Sequence, residues 1–229
     1  MFHPAATCRG AIADNIDLGL VDEFKMVSAL TRRPVKITMT GPLMLTKVAY
    51  DEHYADSRKM MLDLGKLLNH NFRLLAAAGC KNIQVDEPLF TISDEAEAVA
   101  GVEAINLAIE GLPADIHIAV HLCQGNYAVG KEYDGQVGHR YFDHGRYKVD
   151  KICGIACAAY LVELGVGAVD VQDPKVETGE VVAERILAHR WLAPEQTIVT
   201  SSCGLNHLPR KTAFGKLQAM TAAKRVLGG

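Results

Sequence analysis

Asn82-Ile83-Gln84-Val85-Asp86-Glu87-Pro88 is the run that decides the fold class. Ile83 and Val85 make it β-prone and Pro88 closes it, which predicts a strand over Asn82–Asp86. Upstream, about Tyr54–Ala78 is rich in Leu, Met, Lys and Ala and predicts a long helix stopped at Gly79. Before that helix, Val35–Thr40 (VKITMT) predicts another strand, ending at Gly41-Pro42. Downstream the alternation continues, with a helix over about Asp94–Glu110 and a strand over Asp115–Leu122 (DIHIAVHL), Gly125 lying just beyond it. A strand follows over Gly167–Val171, before Pro174, and then a helix over Thr178–His189 with Thr178 as N-cap and Glu180 in its first turn. The strand Thr197–Ser201 and the helix Pro209–Leu227 complete the pattern. Strands that alternate with helices pair in parallel, so the class is α/β.

The 229 residues suit one sizeable domain, 1–229, with 49% hydrophobic and 22% charged residues. This excludes wholesale disorder and a coiled coil. The formal net charge of −3 gives no reason to expect a nucleic acid or an anionic membrane as partner. No apolar run approaches the ~20 residues of a membrane span. Met1–Arg9 (MFHPAATCR) lacks the basic and apolar regions of a signal peptide, which points to the cytoplasm. The cysteines, Cys8, Cys80, Cys123, Cys153, Cys157 and Cys203, then do not read as a disulfide framework.

A doubly wound sheet and a (β/α)8 TIM-type barrel share this alternation. A nucleotide-binding doubly wound sheet carries a glycine-rich first turn, and neither GxGxxG nor GxxxxGK[ST] occurs here. The polar and sulfur-bearing residues cluster at the C-terminal ends of strands, where barrel enzymes build their sites. The barrel is therefore favoured, in an incomplete form: a full one has eight strands and about 250 residues.

His121-Leu122-Cys123 is the strongest local signal. Residues i and i+2 of a strand face one side, so imidazole and thiolate can converge as a zinc site requires. A core cysteine beside a chance histidine has the same spacing. Cys203, in Ser201-Ser202-Cys203-Gly204, follows a strand directly and could add a ligand, or be an idle thiol. Gln84 and Asp86 share a strand face, and the adjacent acids Asp86 and Glu87, fixed by proline, suit an ammonium group; a loop Asp capping a helix is the plainer reading. Asp170, Gln172 and Asp173 form a comparable rim group. Cys153 and Cys157, at i and i+4 of an Ala-rich segment, read as core, and His207 reads as a surface residue or a proton donor.

Together these pieces resemble the C-terminal catalytic barrel of cobalamin-independent methionine synthase, over about Val35–Leu227. The matching motifs are Thr40-Gly41-Pro42, Ala78-Gly79-Cys80, Ile83–Pro88, His121-Leu122-Cys123 with Gly125-Asn126-Tyr127, Gly167–Glu177 and Ser202-Cys203-Gly204. The endings resemble the short, single-barrel "core" members. The resemblance implies a catalytic Zn2+ on His121, Cys123 and Cys203, with Glu163 as the best match to the family's fourth ligand. It also implies that Asp86 contacts the amino group of homocysteine, with Gln84 beside it in substrate binding. Asp86, Asp170 and Gln172 form the implied catalytic set. The chemistry would be methyl transfer to a zinc-bound thiol, giving methionine from homocysteine. The donor would be a methylated folate or a corrinoid protein; the lone tryptophan, Trp191, lies at a helix end and offers no evident pterin platform.

Three departures stand out. The family's first strands have no counterpart, because residues 1–34 match poorly. Glu163 lies almost against the next strand: either it ends a strand with no room for a crossover of a dozen or more residues, or Tyr160–Leu164 is the end of a helix and Glu163 is no ligand. Gln172 stands where long synthases carry a histidine for proton transfer, and Gln does no acid–base work. Alkylation of another small thiol, or a non-catalytic degenerate paralogue with open sheet edges, therefore remains beside the main expectation. Open edges would favour homo-oligomers.

Overall fold

The computed structural model describes residues 6–122, 163–188 and 197–228. The expectations for Cys123, residues 125–127, Cys153, Cys157, residues 159–162, His189 and Trp191 lie outside the described residues. The chain divides into two compact units, Met1–Leu122 and Cys123–Gly229.

The first unit runs β1 (Thr7–Cys8), α1 (Leu20–Ser28), β2 (Lys36–Thr40), α2 (Pro42–Val48), β3 (Tyr50–Asp51), α3 (Ser57–Ala77), β4 (Asn82–Asp86), a 3-10 turn (Pro88–Ile92), α4 (Glu95–Ile109) and β5 (His117–His121). β2, β4 and β5 form a parallel sheet in the order β2-β4-β5, and β1 pairs in parallel with β3. The register aligns Thr40 with Asp86 and Asp86 with His121. The period of two then sorts the sheet into two faces. Ile37, Met39, Ile83, Val85 and Ile118 line one face and pack on Leu68, Phe72, Leu75 and Ile105 of α3 and α4. Thr38, Thr40, Gln84, Asp86 and His121 line the other.

The long helix begins three residues later than the sequence suggests. The Asp51 carboxylate accepts the amides of His53, Tyr54 and Ala55 at 2.7–2.9 Å, which curls the chain away from helix, and Ala55 takes φ 52°. Asp56 then caps α3 by accepting from the Lys59 amide. α4 starts with a full capping box between Asp94 and Glu97. The two helices approach closely: a Cβ on Gly65 would lie 2.5 Å from the Ala104 carbonyl oxygen. The poorly matched N-terminal segment is seated on α3. Asn71, buried, accepts from the Leu18 amide and donates to the Ile16 carbonyl, and the Tyr54 hydroxyl accepts from the Ile12 amide.

The second unit contains β6 (Leu164–Val169), α5 (Gly179–Leu187), β7 (Thr197–Ser201) and α6 (Arg210–Val226), with β6 and β7 parallel. The strand expected at Gly167–Val171 is displaced toward the N-terminus. It ends at Val169 because the next two amides leave the ladder: Asp170 donates to the Glu177 carboxylate and Val171 to the Ser202 hydroxyl. α5 begins at the Thr178 cap as expected. Val182, Ala183 and Ile186 of α5 pack on Val166, Ala168, Val169, Ala219 and Ala223. The fold is thus α/β with parallel sheets. Among the described residues, no helix is long and apolar enough to cross a membrane.

The α3–α4 approach gives a direct test. Gly65→Ala should lower stability by about 1–3 kcal/mol from overpacking, partly offset by the roughly 1 kcal/mol that alanine gains in a helix. Urea unfolding measures it; a midpoint raised by the full helix-propensity gain would show that the helices do not cross at Gly65.

Candidate active site

In the first unit, one level of the sheet brings together the strand ends. Thr40, Asp86 and His121 are the last residues of β2, β4 and β5, and they stand side by side. The ladder continues one step past them, the Gly41 amide donating to the Asp86 carbonyl (2.8 Å) and the Glu87 amide to the His121 carbonyl (2.9 Å). Gln84, two residues below Asp86 on the same face, donates to its carboxylate at 2.6 Å. Lys36 donates to the Gln84 carbonyl in turn, at 2.5 Å. Asp86 is therefore oriented by a file of side chains that starts on a cation. Lys36 escaped the sequence reading; its signal was the alternation Lys36, Thr38, Thr40 opposite Gln84 and Asp86.

Glu87 turns the other way and is fully buried. Its two carboxylate oxygens accept the Leu43 and Met44 amides, both at 2.9 Å, at the open end of α2. Gly41-Pro42 fits this arrangement: a Cβ at Gly41 would lie 2.2 Å from the Glu87 carboxylate, and proline at N1 needs no amide partner. Burial pushes the Glu87 carboxyl up to about 7, and the neighbouring Asp86 charge adds to it, against the two amides that favour the ionised form.

In the second unit, Asp170, Gln172 and Cys203 gather at the C-terminal ends of β6 and β7. The Ser202 amide donates to the Val169 carbonyl, and the Ser202 hydroxyl accepts from the Val171 amide. Gly167 lets the two strands approach here: a Cβ on it would lie 2.9 Å from the Ser202 Cα. Asp170 accepts from the Gln172 amide at 2.8 Å, closing an Asx turn. His207 is half-buried, with Nε2 2.9 Å from the Val171 carbonyl oxygen, so it belongs to this rim and not to the open surface. Cys203 is half-buried beside it in sequence.

Glu163 does not join them. It is exposed and immediately precedes β6, at the end of the sheet opposite Asp170 and Cys203. At ~3.3 Å per strand residue the separation along β6 is roughly 20 Å. The expected pairing of Glu163 with Cys203 as ligands of one metal is thereby corrected: the chain runs into β6 at Glu163, so this glutamate lies at the wrong end of a strand. Among the described residues, no three His, Cys, Asp or Glu side chains form a metal-sized group.

The family model described as cobalamin-independent synthase, catalytic domain, matches residues 12–225. The chain belongs to that family. The match begins at residue 12, well before Val35, so the docked N-terminal segment is part of it. The methionine synthase of Saccharolobus solfataricus is 34% identical over 223 residues, covering 91% of this chain and 63% of the relative. That of Thermococcus kodakarensis is 31% identical, covering 91% and 62%. The chain thus spans a little under two thirds of these relatives. A B12-independent methionine synthase from Shewanella sp. W3-18-1, solved with selenomethionine, superposes with a TM-score of 0.79 at 25% identity, over 96% of this chain and 70% of that one. A putative vitamin-B12-independent methionine synthase from Listeria monocytogenes shares the fold, with a TM-score of 0.71 at 20% identity.

The buried Glu87 predicts a signature in pH. Its carboxyl rises from 4.5 to about 7 on folding, so the neutral form is the one the fold favours. Its contribution is whole below pH 4.5 and is lost as pH rises toward about 7, then levels off. The stability of wild type minus that of Glu87→Gln should therefore fall by up to about 3 kcal/mol between pH 4.5 and 7.5. Denaturant midpoints of both proteins across that range measure it, and parallel curves would refute the assignment.

Proposed function

We propose that this chain transfers a methyl group to the thiol of homocysteine, giving methionine. The observation that carries the reading is the level at the end of the first sheet, where Asp86 and His121 sit side by side and Gln84 and Lys36 orient the Asp86 carboxylate. A carboxylate so held is suited to an α-ammonium group, as in an amino-acid substrate. The names of the relatives support the same reaction. In it the sulfur forms a bond to the methyl carbon as that carbon leaves its donor, and the thiol proton departs. Gln172 has no titratable group, so any proton relay on the second rim runs through Asp170 or His207. The donor is a methylated folate or a corrinoid protein.

The donor chemistry of His121, Cys123 and Cys203 fits zinc, being one imidazole and two thiols. These residues would hold the ion; Glu163, at the far end of β6, would not. A zinc ion bound there supplies the Lewis acidity that keeps a nearby thiol ionised near neutral pH. An incomplete (β/α)8-type barrel fold, with the protein acting in the cytoplasm, completes the proposal.

Two measurements test it. Elemental analysis should find a single zinc in each wild-type chain and none in Cys203→Ser; well-folded wild type without zinc would point to a scaffold with no catalytic role. Asp86→Asn should reduce kcat/KM for homocysteine roughly 10- to 150-fold, as expected for removing a charge-assisted hydrogen bond of about 1.5–3 kcal/mol, and chiefly through KM. An unchanged KM would remove Asp86 from the substrate site.

A further inference from the structure

The second unit buries a lysine that no step above uses. Lys216 is fully buried on α6, on a stripe with Ala219 and Ala223 at i+3 and i+7. An ammonium ion has three donors. Here they reach the Asp170 carbonyl at 2.7 Å, the Lys175 carbonyl at 2.6 Å and the Glu177 carboxylate at 2.7 Å. Glu177, itself nearly buried, sends its other oxygen to the Asp170 amide at 2.8 Å and to Arg185 at 3.0 Å. Arg185 also donates to the Ala168 carbonyl. Burial alone would raise the Glu177 carboxyl, but the hydrogen bonds from Lys216, Asp170 and Arg185 outweigh it and hold it below its usual range.

The main chain of Asp170 is thus gripped from both sides, its N–H by Glu177 and its C=O by Lys216. These two contacts define where β6 stops and how residues 170–177 return to α5. That segment carries Asp170 and Gln172. It is joined to the Cys203 turn through the Val171 amide on Ser202 and through His207 on the Val171 carbonyl. A buried salt bridge is by itself weak evidence for stability, since a well-packed apolar pair can often replace it. Its value here lies in the main-chain atoms that it addresses, which an apolar pair could not hold.

We propose that Lys216 and Glu177 are positioning residues of the active site. They fix the backbone of Asp170 and so set the placement of Asp170 and Gln172 beside Cys203. This rests on the methyl-transfer reading for its catalytic consequence, and on the hydrogen bonds alone for its structural one. The reaction step, and not substrate capture, is what it should affect, because the amino-group contact assigned to Asp86 belongs to another segment.

The test uses Lys216→Met, which keeps the length of the side chain and removes its donors, together with Glu177→Gln, which keeps the shape and removes the charge. Methyl transfer to homocysteine and amide hydrogen exchange are measured on the full chain. The expected result in either folded variant is a kcat lowered at least 10-fold, with KM for homocysteine within threefold of wild type. Exchange over residues 169–177 should be at least 10-fold faster, with α3 and α4 unchanged. If Lys216→Met fails to fold, Glu177→Gln decides. Unchanged exchange over 169–177, or a kcat within twofold of wild type, would overturn the proposal. If wild type itself transfers no methyl group, the methyl-transfer reading falls; the exchange data then decide whether Lys216 and Glu177 hold the segment.

Discussion

Main-chain amides just past a strand end have no ladder partner, whether they open a helix or a loop, and each unit of this protein places a buried carboxylate against such amides. In the first unit Glu87 accepts the Leu43 and Met44 amides. In the second Glu177 accepts the Asp170 amide. An unmet buried amide costs about 1–3 kcal/mol, so these carboxylates largely decide where the segments after β2 and β6 go. Glycine is forced next to the first of them, because nothing larger than hydrogen fits between Gly41 and Glu87.

The two carboxylates solve the cost of burial differently. Glu177 meets it with cations, Lys216 and Arg185, and stays readily ionised. Among the described residues Glu87 has neutral donors and the charge of Asp86 beside it, so it holds its proton to near neutral pH. Glu177 therefore keeps its charge over the physiological range, while Glu87 changes charge within it. The adjacent residues Asp86 and Glu87 thus do different work despite identical chemistry: one faces the polar side of the sheet and the other closes the joint behind it.

Much of this was legible in the sequence. The strands over Lys36–Thr40, Asn82–Asp86 and Thr197–Ser201 follow from β-branched runs bounded by Gly, Pro and Ser, and α4 and α6 lie within a residue of their expected ends. What escaped was set by side chains acting on distant main chain. α3 starts late because Asp51 captures three amides, and β6 stops early because Glu177 and Ser202 capture two. α1 and α2 went unseen; α2 is a single seven-residue helix whose open end depends on Glu87, forty-four positions from Leu43. Glu163 resembles the family ligand by motif alone, and that the chain enters a strand there is set by the pairing of β6 with β7. Lys216 gave a faint signal, a charge on an otherwise small-residue stripe, but its three acceptors could not be read from spacing.

The seating of residues 12–18 has an evolutionary consequence. Asn71 and Tyr54 grip this segment only by its amides and a carbonyl, at Ile12, Ile16 and Leu18. Ile16 and Leu18 leave much of their side chains in solvent. Peptide groups are alike in every residue but proline, so most substitutions at these positions leave the attachment intact. Such a segment can drift in sequence while keeping its path. Residues 12–18 are thus attached by their main chain and leave their side chains free to vary.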